Sequence, residues 1–438
     1  MARKRSFRGG THPPGMKHLS ETCPIERLTA PEVVRVALCQ HLGAASKPCV
    51  EKGDKVRVGQ EIGSQNGFIS LPTHSPVAGK VIAVEEIPLP HRRLGPAVVI
   101  ETSSEEGEPP FEPWSDFREH ERSEIIDRIR LAGVCGMGGA SFPTYVKLSP
   151  PPEKKIDTLI LNGVECEPYL TADDRLMLER TAEVIRGMEI LAYALGVTNC
   201  FIGIEANKPE AIARVSEAGG NVAPLRVKYP QGAEKQLIDA ITGREVPVGG
   251  LPMDVGVLVQ NVGTAAAAFE AVEKGSPSIR RIVTVTGLGV ARPGNYDAPV
   301  GAPFRTLIEK AGGYSGDVVR LVSGGPMMGI AQYTDEVPVT KGTSGILALT
   351  AGEVRDVEES PCIGCAKCVD SCPMHLVPTH IAMYGEHSRW EDAEACGAPS
   401  CIECGTCSYV CPAGRYLVHY IRRAKDAIRA LQAAKKEA

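Results

Sequence analysis

The stretch Cys362-Ile-Gly-Cys365-Ala-Lys-Cys368-Val-Asp-Ser-Cys372-Pro373 has a second copy of its pattern at Cys401-Ile-Glu-Cys404-Gly-Thr-Cys407-Ser-Tyr-Val-Cys411-Pro412. Eight of the 15 cysteines fall in these two copies of C-x2-C-x2-C-x3-C-P. Such spacing puts three thiolates in one tight loop, within reach of three irons of one cubane, and displaces the fourth by three residues and a proline. In paired runs the fourth cysteine ligates the other cluster. The expected ligand sets are therefore Cys362, Cys365, Cys368 and Cys411 for one [4Fe-4S] cluster, and Cys401, Cys404, Cys407 and Cys372 for the other. Zinc prefers four ligands offered as two pairs, which these runs do not provide. Disulfides need an oxidising compartment, to which nothing in the sequence points. Electrons are expected to pass through this chain.

Downstream of the second run, Leu417, Tyr420, Ile421, Ala424, Ile428 and Leu431 recur at helical spacing, which predicts a helix packed by that face. Its Lys and Arg residues read as the solvated side. The whole segment 358–438 resembles a two-cluster ferredoxin and is expected to be mainly helical. Upstream, 279–352 reads as a small α+β module, with a strand at 281–287, a helix at 303–311, and a strand with a Gly-rich turn at 318–325. Before it, 119–278 alternates helices and strands. Ile125, Ile126, Ile129 and Leu131 mark a helix, 158–161 a buried strand, 183–195 a helix and 200–204 a second strand. That alternation predicts a largely parallel, Rossmann-like sheet with helices on its faces.

The first 112 residues read as short strands divided by turns, such as 33–38, the Gly53-Asp54 turn, 59–63, and a Pro and Gly turn before a strand at 77–84. The phrases V-x-K-G-D-x-V-x-x-G-Q and S-P-V-x-G-K-V resemble the biotinyl and lipoyl carrier fold, a flattened barrel-sandwich. Between them stands Ile62-Gly63-Ser64-Gln65-Asn66-Gly67-Phe68-Ile69-Ser70, without the Lys that a carrier modifies, so a carrier function is disfavoured. Residues 103–113 are acidic and Pro-rich, and read as a linker.

A chain of 438 residues has room for roughly two to four domains. A net charge of -5 with intermixed signs leaves no nucleic-acid footprint. The basic N-terminus has no apolar stretch behind it, and no run of about eighteen apolar residues occurs, so neither a secretory signal nor a membrane span is expected. With 46 Gly, 34 Pro and 5% aromatics, many tight loops around ligands are expected. His12, His41 and His74 read as loop or core histidines with satisfied rings, and Cys135, Cys166 and Cys396 as ordinary buried or near-ligand cysteines.

The loop Gly133-Val134-Cys135-Gly136-Met137-Gly138-Gly139-Ala140-Ser141-Phe142-Pro143-Thr144 lies between a helix and a strand, and its glycines let backbone N–H groups approach an anion. Lys147 follows as a point charge. After the strand comes Asn162-Gly163-Val164-Glu165-Cys166-Glu167-Pro168, polar residues at a strand's C-terminal end, where open α/β sheets place ligands. Here the chain resembles the flavin-binding component of respiratory complex I, with its motifs G-x-G-G-A-G-F-P-T-x-x-K and N-A-D-E-x-E-P-G. The resemblance implies that Gly136, Gly138, Gly139, Ala140 and Lys147 surround an FMN phosphate. It also implies that Asn162 and Glu165 hydrogen-bond the flavin, with Phe142 and Glu167 near the nicotinamide of NADH. Gln260-Asn261-Val262-Gly263-Thr264 is similar to N-N-V-E-T, which brings Asn261 and Thr264 to the phosphate, and Glu234 matches a second acidic residue. Ser141, Val164, Tyr169, Gln260 and Gly263 depart from that pattern.

Across its length the chain looks most like the RnfC family, the flavin- and cluster-bearing component of the ion-translocating Rnf complex. The segments that carry this are Phe7-Arg8-Gly9-Gly10-Thr11-His12-Pro13-Pro14, Gln40-His41-Leu42-Gly43-Ala44, the glycine loop and the paired cysteine runs, in that order. This implies a peripheral member on the cytoplasmic face of a membrane complex. It would exchange electrons between NADH and ferredoxin, beside other Rnf subunits and an iron–sulfur partner, coupled to Na⁺ or H⁺ movement. It also implies a β-grasp, SLBB-like form for 279–352. NADH gives up electrons as a hydride pair and a cluster takes one at a time, so a flavin between them is the expected converter. Two other readings use the same parts: a protein reducing a cobalamin cofactor, and a non-catalytic iron–sulfur relay without flavin.

Overall fold

The computed structural model describes residues 5–104, 110–355 and 357–437. The middle of the expected linker therefore lies outside the described residues.

In the N-terminal module two small antiparallel sheets face each other. One runs in the order Val33–Ala37, Arg92–Thr102, Gly79–Leu89, Lys55–Val56, and the other Lys47–Pro48, Glu61–Ser64, Thr73–His74. Alternation along Val33–Ala37 turns Val34 and Val36 inward, where they meet Leu38, Ile62, Val81, Val98 and Ile100, all buried. Each such aliphatic side chain contributes about 1.5–3 kcal/mol by leaving water. This is the barrel-sandwich expected from the turn phrases.

The second module has a four-stranded, wholly parallel sheet in the order Val222–Leu225, Asn199–Glu205, Thr158–Asn162, Val257–Asn261. Its central strand, Thr-Leu-Ile-Leu-Asn, is buried up to Asn162, as expected of a strand covered on both faces. The helix Arg122–Leu131 opens with a Glu121/Glu124 capping box and buries Ile125 and Ile129, while Leu131 is exposed. The helix Thr181–Leu195 ends at Gly196, which takes the left-handed conformation of a C-cap. Register pairs Asn261 with Asn162 and Asn162 with Gly203, so two asparagines stand side by side at the carboxyl edge of the sheet.

The third module is a mixed six-stranded sheet in the order Ile25–Arg27, Gly294–Pro299, Arg280–Thr286, Gly345–Thr350, Val318–Ser323, Ile330–Gln332, with the helix Phe304–Lys310 on it. Ile25–Arg27 comes from the far N-terminus and pairs in parallel with Gly294–Pro299. A pairing between segments so far apart in the chain has no local signal.

The cysteine-rich module is helical, as expected, with Pro378–Glu386 and Leu417–Glu437 packed around Ile381, Ala382, Leu417, Ile421, Ala424 and Ile428. Leu431, expected on the buried face, is exposed because the last turns of the helix run past the module.

Three modules meet at Lys341, whose Nζ donates to the Gly133 carbonyl at 2.7 Å and whose N–H donates to Gln40 Oε1 at 3.1 Å. The side chain is fully buried, and burial pushes its amine down to about 8. His74 lies beside it on a strand, not in a loop, and its buried Nδ1 has no hydrogen-bond partner. The expectation of a satisfied ring is corrected here: burial and the neighbouring Lys341 push His74 down to about 3, so the ring is neutral. His41 is satisfied, with Nε2 accepting from the Leu71 N–H.

Candidate functional site

The glycine loop folds back on itself, the Gly136 N–H donating to the Phe142 carbonyl at 2.9 Å. The Met137 N–H donates to Thr264 Oγ1 at 2.9 Å, and the buried Arg281 guanidinium donates to the Met137 carbonyl at 2.8 Å. These bonds lay the loop across the start of the helix Val262–Glu273. Asn261 caps that helix through Oδ1, which accepts from the Gly263 N–H at 2.8 Å. Its Nδ2 donates to Asp173 Oδ2 at 2.7 Å and reaches the Asn162 carbonyl at 3.3 Å. Gly138 lies so close to Asn261 that a Cβ there would come within 2.8 Å of Nδ2. Gly138, Asn162, Asn261 and Thr264 are thus gathered at one end of the parallel sheet.

Gly138, Gly139 and Ala140 are exposed, and a Cβ on Gly139 would meet nothing within 4 Å. Next to the positive end of a helix, such an open run of backbone N–H groups suits an anion. Deeper in, Glu165 adopts φ +49° and is almost fully buried, its Oε1 accepting from the Asp173 N–H at 2.7 Å. Among the described residues its Oε2 has no hydrogen-bond partner, and Lys17 Nζ is 3.9 Å away. Burial pushes Glu165 up to about 8 against the pull of Lys17 and Lys208, and pushes Lys17 down. Gln231, beside the Gly232 carbonyl that accepts from Asn162 Nδ2, has both amide atoms buried without partners among the described residues. The open glycine cradle, an orphaned carboxylate oxygen and an unpartnered amide fit a ligand with a phosphate at one end and a polar ring edge at the other, as FMN has.

Two expected residues lie to one side. Lys147 Nζ is 2.9 Å from Glu234 Oε1 and donates to the Val259 carbonyl at 3.0 Å. The two candidates are thus brought to each other, on the flank of the strand Val257–Asn261. Phe142 is half-buried at the end of the glycine loop.

Glu167 is held from the third module. Its carboxylate accepts from the N–H groups of Met327 and Met328 at 3.1 and 2.9 Å, and the Tyr229 hydroxyl lies 3.4 Å away. Burial pushes Glu167 up to about 7. The Tyr229 hydroxyl donates to the Cys404 carbonyl at 2.7 Å, which carries the contact into the cysteine-rich module.

There Cys372, Cys401, Cys404 and Cys407 line one cavity together with Leu376, Ile381 and Ile421. The fourth cysteine of the first run thus stands with the first three of the second. The two loops share a backbone form: Gly364 and Ala366 have φ of +70° and +57°, and their counterparts Glu403 and Gly405 have +58° and +80°. Alternating left-handed residues turn backbone N–H groups toward sulfur, as in the Glu403 N–H to Cys401 Sγ contact at 3.3 Å. The Leu376 N–H meets Cys372 Sγ at 3.4 Å. Such bonds tune a cluster's potential. Glu403 is held by Arg422 at 2.9 Å and by Lys425, which also donates to the Cys401 carbonyl at 2.7 Å. In the second group Cys368 and Cys411 pack against the same helical core, while Cys362 and Cys365 are exposed. One seat is therefore buried against the α/β module and the other faces outward. Four thiols around an apolar cavity, with N–H groups aimed at sulfur, suit an iron–sulfur cluster.

Lys17, Asp173, Lys208, Tyr229 and Arg281 shape this site and were not singled out from the sequence. Only Lys17 had a nearby signal, the segment 7–14. Cys166 belongs to the site as an acceptor, its Sγ taking the Gly232 N–H at 3.3 Å, with burial pushing the thiol up to about 12. Cys135, within the glycine loop, is buried against Leu71 and Tyr145.

Comparison with known proteins agrees part by part. The family model of the RnfC barrel sandwich hybrid domain matches residues 5–105, and that of the Nuo51 FMN-binding domain 129–270. The SLBB domain matches 282–331 and the 4Fe-4S dicluster domain 360–416. The C subunit of the Na(+)-translocating ferredoxin:NAD(+) oxidoreductase complex of Acetobacterium woodii is 46% identical over 429 residues, covering 97% of each chain. Its proton-translocating counterpart from Clostridium ljungdahlii is 45% identical over 398 residues, 89% of this chain and 86% of that one. The corresponding member of the ion-translocating oxidoreductase complex of Rhodobacter capsulatus is 44% identical over 385 residues, 86% of this chain and 74% of that one. No helix among the described residues is long and apolar enough to cross a membrane. With its barrel-sandwich, FMN-binding, SLBB and two-cluster modules in this order, the chain belongs to the RnfC family of electron-transferring oxidoreductase subunits.

Proposed function

We propose that this chain passes electrons between NAD(H) and a ferredoxin or iron–sulfur partner subunit, as a peripheral, cytoplasmic-face member of a membrane-bound, ion-translocating Rnf-type complex. The observation that carries this reading is the physical link, through Glu167, Tyr229 and the Cys404 carbonyl, between the carboxyl edge of the parallel sheet and the buried cysteine seat. When bound, FMN supplies hydride exchange with a nicotinamide and one-electron exchange with a cluster.

In this reading Gly136, Gly138, Gly139 and Ala140 present backbone N–H groups to the FMN phosphate, and Asn261 and Thr264 brace that loop. Asn162 and Glu165 orient the ring edge. Phe142 and Glu167 lie on the nicotinamide side, and Glu167, its carboxyl raised to about 7 by burial, keeps a proton close to the two-electron step. Lys147 offers its charge to the FMN phosphate, and Glu234, paired with it, is the second acidic residue of the cleft. Cys372, Cys401, Cys404 and Cys407 would hold the cluster nearer the flavin cleft, and Cys362, Cys365, Cys368 and Cys411 the one nearer the surface, each supplying one-electron exchange. Ion movement belongs to other members of the complex. The module limits that accompany this reading are 1–112, 119–278, 279–352 and 358–438.

The test is anaerobic reconstitution of the full chain with iron, sulfide and FMN, followed by NADH. About eight irons and one flavin per chain, with NADH bleaching first the flavin and then the clusters, is the expected result. A chain that holds iron but no flavin, or whose flavin NADH leaves oxidised, would overturn the NADH assignment.

A further inference from the structure

We propose that residues 7–17, seated on Tyr229, form a positioning strap that fixes the buried cysteine seat against the acidic strand-end of the flavin cleft. The proposal rests on reading the cysteine runs as cluster seats. It gives a role to the segment Phe7-Arg8-Gly9-Gly10-Thr11-His12-Pro13-Pro14, to which neither flavin nor cluster binding assigns one.

The strap runs along one continuous seam. Phe7 is buried beneath the Lys228 ammonium, 4.7 Å above its ring, and its carbonyl accepts from Lys228 Nζ at 3.1 Å. Thr11 and Tyr229 exchange both backbone hydrogen bonds, at 2.8 and 2.9 Å, as a short antiparallel bridge. Between these two anchors the chain turns through Gly9 and Gly10, with φ of +83° and +80°. A Cβ on Gly9 would sit 2.7 Å from the Cys372 carbonyl oxygen, and one on Gly10 would sit 2.6 Å from that of Tyr229. Both contacts are with backbone, which cannot yield as a flexible side chain does, so only glycine fits at either position. The Gly10 N–H donates to the Ser371 carbonyl at 2.8 Å, next to the ligand Cys372. Farther on, the Gly15 carbonyl accepts from the Tyr169 N–H at 2.7 Å. Lys17 Nζ then gathers the carbonyls of Glu165 and Glu167 at 2.9 and 3.1 Å. One short segment therefore touches the cysteine seat at one end and the flavin-facing acids at the other.

The cleft grips the seat's two chain segments from the same side. Gln236 Nε2 donates to the Pro373 carbonyl at 3.0 Å, beside the Gly10 bond to Ser371. Tyr229 holds the Cys404 carbonyl, and the Met327 carbonyl approaches Gly405 so closely that a Cβ there would lie 2.6 Å away. The outer seat is held differently: Arg355 donates to the carbonyls of Tyr409 and Cys411, and the Ser360 N–H to that of Ala413. Strap and cleft thus bear on the buried seat, and Tyr229 is a positioning residue acting through the Cys404 backbone.

The test uses the full chain reconstituted with both clusters, read by hydrogen–deuterium exchange and by electron paramagnetic resonance of the reduced protein. Tyr229→Phe removes one buried hydrogen bond without changing ring shape, and Gly10→Ala forces the strap off the Tyr229 carbonyl. Amide exchange should rise roughly five- to tenfold at 371–376 in Gly10→Ala and at 401–407 in Tyr229→Phe. Exchange at 362–368 should stay at the parent level, and the resonance of one cluster should change while the other is retained. Gly15→Ala, whose Cβ meets nothing within 4 Å, should match the parent. Should Gly10→Ala fail to fold, Lys228→Met, which releases the Phe7 carbonyl, takes its place in the comparison at 371–376. Parental exchange at 401–407 in Tyr229→Phe would overturn the proposal, as would an equal rise at 362–368. A parent chain that takes up no iron would overturn the cluster reading instead, while the exchange comparison would still decide whether the strap holds these segments.

Discussion

Burial pushes the Glu167 carboxyl up to about 7, so the folded chain holds that proton more tightly than the unfolded one does. The contribution is whole below the ordinary glutamate value of about 4.3 and is lost as pH rises through about 7. Urea midpoints should fall between pH 5 and pH 8, and Glu167→Gln should flatten that slope by on the order of 2–3 kcal/mol. Glu165, also pushed up by burial, acts in the same direction. The ligand sets proposed for the two cysteine runs give a second expectation. Cys372→Ser should remove the cluster built mainly by the second run, and Cys411→Ser the one built mainly by the first, each leaving about four irons per chain by iron and sulfide analysis. The grouping of Cys372 with Cys401, Cys404 and Cys407 around one cavity was readable because it is written in a paired local spacing. Tyr229 and Lys17 were not readable, because a residue that bridges modules is marked only by what it meets in space.

Among the elements, the helices Thr181–Leu195 and Val262–Glu273 cross closely because Gly187 has no side chain. A Cβ there would overlap the backbone carbonyl of Ala265. Gly187→Ala should therefore cost about 1–3 kcal/mol by forced separation, despite alanine's better helix propensity, and denaturant titration would measure it. Gly385 plays the same part where Pro378–Glu386 meets the Tyr420 carbonyl. Elements with strong local period were legible, from the buried strand Thr158–Asn162 to the tail helix with its face of Leu417, Ile421, Ala424 and Ile428. The strand Ile25–Arg27 was not, since so short a segment carries no period and its partner lies at Gly294–Pro299. Leu431 was misplaced for a related reason, since helical spacing continues after the surface it packs on has ended.

At the scale of the molecule, barrel, flavin module and third module close on Lys341, a buried amine held by the Gly133 carbonyl. Lys341→Ala should leave that carbonyl unsatisfied and cost about 2 kcal/mol, which calorimetry would read as a lower unfolding temperature. The order of modules was legible from turn phrases and glycine loops. Their junction was not, since sequence pattern says which residues are buried within a module and little about which modules share a wall. The two cysteine seats differ most in shelter. Cys404 and Cys407 are 7% and 6% exposed, behind a wall of Leu376, Ile381 and Ile421, whereas Cys362 and Cys365 lie open to solvent. Dissolved oxygen therefore meets the outer cluster first. Protein handled in air should lose its iron in two stages, stopping for a time at a half-loaded form that keeps its flavin and inner cluster but has lost its outlet.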